Sequence, residues 1–227
     1  MQDWIVRNLT RLVSIAVALT IAAIGIVSTF EPTTEAAFIA ARQIYGLTAF
    51  GVLLGTCLIG PLTAVFPRMP LRRILLAGRR AIGVSACIIA IPHVLCYARP
   101  VLVLGWREPF NHGTAWVIGL ALGLVVLADL STLAWTSRDS SVKALGGQRW
   151  KRLHRTVYIA VLVTLLHAVL VGADFGFASK PKGEPDYGSL IVFSILTFMW
   201  VVLFGLRSRC SRWPASTPAE VRPVDGP

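Results

Sequence analysis

Acidic side chains are scarce in this sequence: 11 Asp and Glu stand against 22 Lys and Arg. Charged residues of both signs fill only 15% of its 227 positions and hydrophobic ones 55%, where a soluble domain carries roughly 25% charged residues. That shortage, with a mean hydropathy of +0.69, excludes an ordinary soluble domain. It predicts an all-α membrane protein built as one helical bundle. Cysteine is also sparse. There are four and no CxxC, so no disulfide is assigned, and Cys57, Cys87 and Cys96 are read as small apolar residues. No internal repeat is visible. No GxGxxG follows a predicted strand, and about 20 residues remain after the last apolar run, against roughly 100 for a nucleotide-binding domain. Hydride from NAD(P)H is therefore expected to be collected by a separate donor.

What is present is a set of long apolar runs. Crossing a bilayer takes roughly 20 residues, and six runs qualify or nearly so: 12–29, 44–65, 81–98, 115–136, 156–172 and 188–206. The first follows Arg7 and Arg11 like a secretory leader, but it is longer than a leader core and no small-residue cleavage site follows, so it is read as a helix. The net charge of +11 invites a nucleic-acid partner, but its distribution does not. Arg68, Arg72, Arg73, Arg79 and Arg80 crowd the loop between runs two and three. Arg138, Lys143, Arg149, Lys151, Arg152 and Arg155 crowd the loop between runs four and five. This is the positive-inside pattern, which predicts cytoplasmic termini and anionic lipid as the partner of the basic face. Trp4, Trp135, Trp150 and Trp213 fall near the inner boundary and Trp106 and Trp116 near the outer one, as indoles prefer. Gly51 with Gly55 and Gly119 with Gly123 form GxxxG pairs, read either as close helix packing or as the ordinary glycine content of membrane helices. Residues 208–227 read as a disordered cytoplasmic tail after a domain of 1–207.

Histidine is the informative residue. Ionisable groups at bilayer depth are costly and mark function, and imidazole is a usual axial ligand of haem iron. His93 lies 13 residues beyond Arg80, and His167 lies 12 beyond Arg155. On helices running outward, both sit about 18–20 Å above the inner boundary. Two imidazoles at one depth can clamp a planar cofactor. The bland alternative is two core histidines, each bonded to a backbone carbonyl. Pro92 precedes His93 and is expected to kink its helix. His154 sits at the inner end of the fifth run. It is open to three readings: ligand of a second haem, contact to a haem carboxylate, or interfacial histidine. Arg79 and Arg80 are candidates for pairing such carboxylates. Asp129 is the one acid within a run, read as a proton relay or as a carboxylate bonded to a nearby Ser, Thr or Arg. His112 falls in an outer loop and is read as solvated.

The run LAWTSRDSSVKALGGQRWKRLHRTVYIAVLVTLLHAVL, residues 133–170, resembles the ferric-reductase-like transmembrane family. Within that family it is most similar to the haem-binding membrane subunits of bacterial periplasmic methionine-sulfoxide reductase systems. Thr136-Ser137, Leu145-Gly146, Arg149-Trp150, Leu153-His154, Tyr158 and His167 carry the likeness. RRAIGVSACIIAIPH (79–93) is similar to the family's Arg-Arg…Gly…His helix, and YGLTAFGVLLGTCLIGPL (45–62) to its second helix. The first run and the 5–6 loop depart from the pattern. The resemblance implies a six-helix bundle in the bacterial inner membrane holding haem b, one or two, with FMN as a further candidate. It matches His93 and His167 to the paired iron ligands, His154 to a third functional histidine, and Arg79 with Arg80 to a basic pair. It implies electron relay from a cytoplasmic flavin reductase or quinol to a periplasmic molybdopterin reductase. Two rival classes remain: a proton or ion transporter using Asp129 and the histidines, and a zinc site of His93, Cys96 and His167.

Overall fold

The structure is a computed structural model that describes residues 2–30, 35–105, 107, 110, 113–171 and 187–210. His112, Trp106, Trp213, the 5–6 loop at 172–186 and the tail from 211 on lie outside the described residues, while 208–210, expected in the disordered tail, are the end of a helix. Among the described residues eight helices follow in order: α1 (Gln2–Phe30), α2 (Glu35–Val65), α3 (Arg72–Leu104), α4 (Thr114–Trp135), α5 (Asp139–Leu145), α6 (Gly147–Leu153), α7 (Val157–Val171) and α8 (Tyr187–Cys210). All regular structure among the described residues is helical, as backbone groups in lipid require when no barrel closes.

Among the described residues five stretches are long and apolar enough to cross a bilayer: Asn8–Val27, Ala41–Val65, Arg72–Arg99, Thr114–Trp135 and Gly147–Val171. In α8 the corresponding apolar stretch is shorter, Thr197–Leu206. The helices outrun the expected apolar boundaries. α3 begins nine residues before the expected 81, because Arg, Leu and Ala are good helix formers and charge limits hydropathy without ending a helix. The expected 4–5 loop holds α5 and α6. Gly146, at φ +74°, turns the chain between them and donates its N–H to Val142 O at 3.1 Å, a conformation that favours glycine. α3 runs unbroken through Pro92, which is fully buried. α1 meets that proline at Gly25, where a Cβ would lie 2.5 Å from Pro92 Cβ.

Large apolar side chains point outward, Leu12 at 70% and Phe198 at 71% exposure among them, the inverse of a soluble surface. Hydroxyls inside the helices donate back to the carbonyl four residues earlier: Thr56 to Val52 O, Thr63 to Ile59 O, Thr164 to Ala160 O. This satisfies them without water. α1 and α2 pack on α3, α4 packs on α7, and α2 also meets α8. Phe50, Leu53, Leu54, Cys57, Ala86, Val126, Leu130, Ala160 and Val161 form the shared core. The two GxxxG pairs diverge. A Cβ at Gly51 or Gly55 would meet nothing within 4 Å, whereas one at Gly119 would collide with Val171 and Leu170 of α7. Only the second pair lies in a close helix contact.

Candidate functional site

α2, α3, α4 and α7 enclose a cavity of about 390 Å³, within the size range of cofactor pockets. It is lined by Leu47, Phe50, Leu53, Val94, Leu127 and other apolar side chains, and by both His93 and His167. The two imidazoles come from different helices, and their ring centroids are 6.2 Å apart with planes at 84°. The two histidines placed at one depth from sequence therefore lie side by side. His93 Nδ1 lies 2.9 Å from Arg42 O, and His167 Nδ1 lies 2.7 Å from Gly119 O. A carbonyl can only accept, so each Nδ1 carries the hydrogen and each Nε2 keeps its lone pair. The carbonyl bonds foreseen by the bland reading are therefore present, and they also leave two metal-ligating atoms available.

Two imidazoles that would hold one metal from opposite sides through bonds of about 2.0–2.1 Å have centroids roughly 6–6.5 Å apart, against about 5 Å at the tetrahedral angle of zinc. The observed spacing meets that requirement. With apolar walls contributed by four helices, the donor set fits a bis-histidine haem. Zinc fits poorly. Among the described residues no three His, Cys, Asp or Glu converge, and Cys96 is fully buried in the packing of α3. Cys96 is not among the residues that line the cavity with His93 and His167.

Three features of the cavity are not assigned to it from sequence. Arg42 lines its wall, half-buried, with its guanidinium 4.6 Å over the Tyr97 ring. No carboxylate lies within ion-pair reach of it among the described residues. Tyr97 in turn packs edge-on against His93 at 5.1 Å. Gly46 and Gly123 lie directly against the His93 and His167 rings. Arg42 lies just before the apolar run 44–65 and near the start of α2, where an arginine has an ordinary interfacial explanation.

Arg79 and His154 are together, but at a different place. They line a second, more polar cavity of about 880 Å³ with Arg80, Lys151, Arg155, Trp150 and Tyr158. His154 caps α6, where the chain turns before α7, so no straight helix connects it to His167. Its ring stacks on Trp150 at 4.0 Å, and Nε2 lies 3.2 Å from Thr136 Oγ1. That hydroxyl donates to Thr132 O, so His154 Nε2–H is the donor to it. Arg80, on the same wall, is also paired with a carboxylate. It bonds Asp139 at 2.6 Å and holds that carboxyl below the usual carboxylate range. Asp129 takes the bland role on one side: Thr156 Oγ1 donates to its Oδ1 at 2.7 Å. Its Oδ2 is buried without a partner. Leu53 and Leu130 line both cavities and form the wall between them.

Comparison with known proteins agrees with this architecture. A family model described as "Ferric reductase like transmembrane component" matches residues 45–165. The magnetosome protein MamZ of Paramagnetospirillum magneticum is 34% identical over 128 residues, 53% of this chain and 18% of that protein. The protein-methionine-sulfoxide reductase heme-binding subunit MsrQ of Rhodospirillum rubrum is 35% identical over 107 residues, 45% of this chain and 46% of its own length. The MsrQ of Rhizobium meliloti is 29% identical over 189 residues, 80% of this chain and 76% of its own. The chain thus spans under a fifth of MamZ and under half of the Rhodospirillum protein. The MsrQ names state haem binding and none states a flavin. No solved structure matches the chain.

Proposed function

The chain belongs to the ferric reductase-like transmembrane family, and on that footing we propose that it is a multi-pass electron-transfer subunit of the bacterial inner membrane. His93 and His167 are its haem ligands, each through Nε2. The carbonyls of Arg42 and Gly119 hold the two Nδ1–H groups, which fixes the tautomer and raises the basicity of the ligating nitrogen. Arg42 is the cation on the cavity wall that would pair with a carboxylate of the cofactor. Haem b supplies a one-electron iron couple when bound. The apolar walls exclude water, set the local dielectric and keep the two imidazoles opposed.

The inner cavity, with His154 and Arg79 on its wall, is the entry side in this reading. It would receive electrons from a cytoplasmic flavin reductase or a quinol, directly or through a second haem. The outer end would deliver them to a periplasmic molybdopterin reductase, the acceptor that the family resemblance implies. α8 completes six crossings, and both termini lie in the cytoplasm. The observation that carries this reading is the imidazole pair from two helices with ring centroids 6.2 Å apart, both Nδ1 atoms tied to helix carbonyls.

The test is a reduced-minus-oxidised spectrum of the purified protein. Wild type is expected to show a reducible Soret band. His93→Ala and His167→Ala should each lose it while still inserting in the membrane. Full haem content in both variants would remove the assignment. A colourless wild type that moves ions in liposomes would favour a transporter centred on Asp129.

A further inference from the structure

We propose that Gly46 and Gly123 are positioning residues that seat the two imidazoles, each acting with the carbonyl four residues before it on the same helix. The inference rests on the reading that His93 and His167 hold a haem iron. A carbonyl inside a helix already accepts the N–H of its own helix, and a second lone pair remains on its outer side. That lone pair lies beside the residue four positions on, one turn along the same face. A ring donating to it must therefore lie across that residue's Cα, in the space where a Cβ would stand.

Both half-sites show this arrangement. His93 Nδ1 bonds Arg42 O, and a Cβ at Gly46 would stand 2.7 Å from His93 Cε1 and 2.8 Å from Nδ1. His167 Nδ1 bonds Gly119 O, and a Cβ at Gly123 would stand 2.8 Å from His167 Cε1 and 2.9 Å from Nδ1. In each case Nε2 is the most distant of the three nearest ring atoms, at 3.5 Å. The same device thus occurs on the α2–α3 pair and on the α4–α7 pair. Other glycines in these helices behave differently. Gly51 and Gly55 face open space, and Gly119 packs against α7 itself. Only glycine permits so close an approach. An alanine at either position would displace the ring, lengthen its bond to the carbonyl and turn Nε2 away from its opposite number.

Gly46→Ala and Gly123→Ala, made in the full chain and assayed in membranes, test this. Removing an outer-shell partner of a metal ligand typically costs about 10–100-fold in affinity, and each variant is expected to lose haem affinity on that scale. Each should also convert part of the low-spin ferric electron-paramagnetic-resonance signal to high spin. Gly51→Ala is the matched control and should keep wild-type loading and signal. Unchanged loading and an unchanged low-spin signal in both Gly46→Ala and Gly123→Ala would overturn the proposal. Should Gly46→Ala fail to accumulate, the double variant with His93→Ala decides. Accumulation at the level of His93→Ala alone supports the ring clash, because the space is then free. A double variant as poor as Gly46→Ala assigns the glycine to helix packing and overturns the positioning role. Gly123 with His167→Ala is read in the same way. Retention of haem by His93→Ala would sink the parent reading instead, while the accumulation of single and double variants still reports the coupling of ring and glycine.

Discussion

At the residue scale, the chemistry of the outer cavity depends on which ring nitrogen carries hydrogen. Both imidazoles use Nδ1 on a backbone carbonyl, so neither can rotate without leaving a polar group unpaired in an apolar site. Arg42 supplies the cation on that wall. If it pairs with a carboxylate of the bound cofactor, Arg42→Met should leave the low-spin spectrum intact but lower the midpoint potential. Removing a positive charge disfavours the reduced, more negative form. Partly screened charges at this range shift potentials by on the order of tens of millivolts, measurable by redox titration. An unchanged potential would place the guanidinium away from the cofactor. Neither Arg42 nor Gly46 stands out in the one-dimensional pattern, since an arginine near a helix end and a glycine in a membrane helix both have ordinary explanations.

At the element scale, the site is built by two helix pairs, α2 with α3 and α4 with α7, each presenting one imidazole to the other. α1 buttresses the first pair. Ser85 donates to Ser14 O across the α1–α3 contact at 3.0 Å, and Gly25 lets α1 lie against Pro92, next to His93 in sequence. Gly25→Val should therefore wedge α1 off α3. Overpacking a core in this way costs about 1–3 kcal/mol, so thermal unfolding of the detergent-solubilised protein should begin at lower temperature. An unaltered melting curve would show that α1 contributes little to holding α3. Pro92 does not end α3, which runs on to Leu104. A proline removes one backbone donor, and here the helix continues around the defect because α1 packs over the proline ring.

At the scale of the whole molecule, a polar cavity rich in arginine and lysine lies on one side of a Leu53–Leu130 wall and an apolar, histidine-bracketed cavity on the other. A carrier seated in each would have that wall between them. The direction of flow depends on which end is cytoplasmic. With the basic α5–α6 segment inside, a cysteine at exposed Lys143, introduced with Cys87 and Cys210 replaced by Ser, should react with an impermeant maleimide only after permeabilisation. Labelling in intact cells would invert the topology and the proposed direction with it.

The amino-acid pattern alone determined that the chain is helical and membrane-embedded, that its basic loops share a side, and that His93 and His167 sit at one depth. Run length, charge asymmetry and rise per residue are one-dimensional quantities, and they survive without knowledge of packing. Only the tertiary structure decided which faces meet. These helices are apolar all round, so no amphipathic stripe marks the inward side. It put Arg42 and two glycines beside the imidazoles, and it gathered His154 with Arg79 in a separate cavity. It also left Gly51 and Gly55 facing open space, although their spacing is the same as that of Gly119 and Gly123.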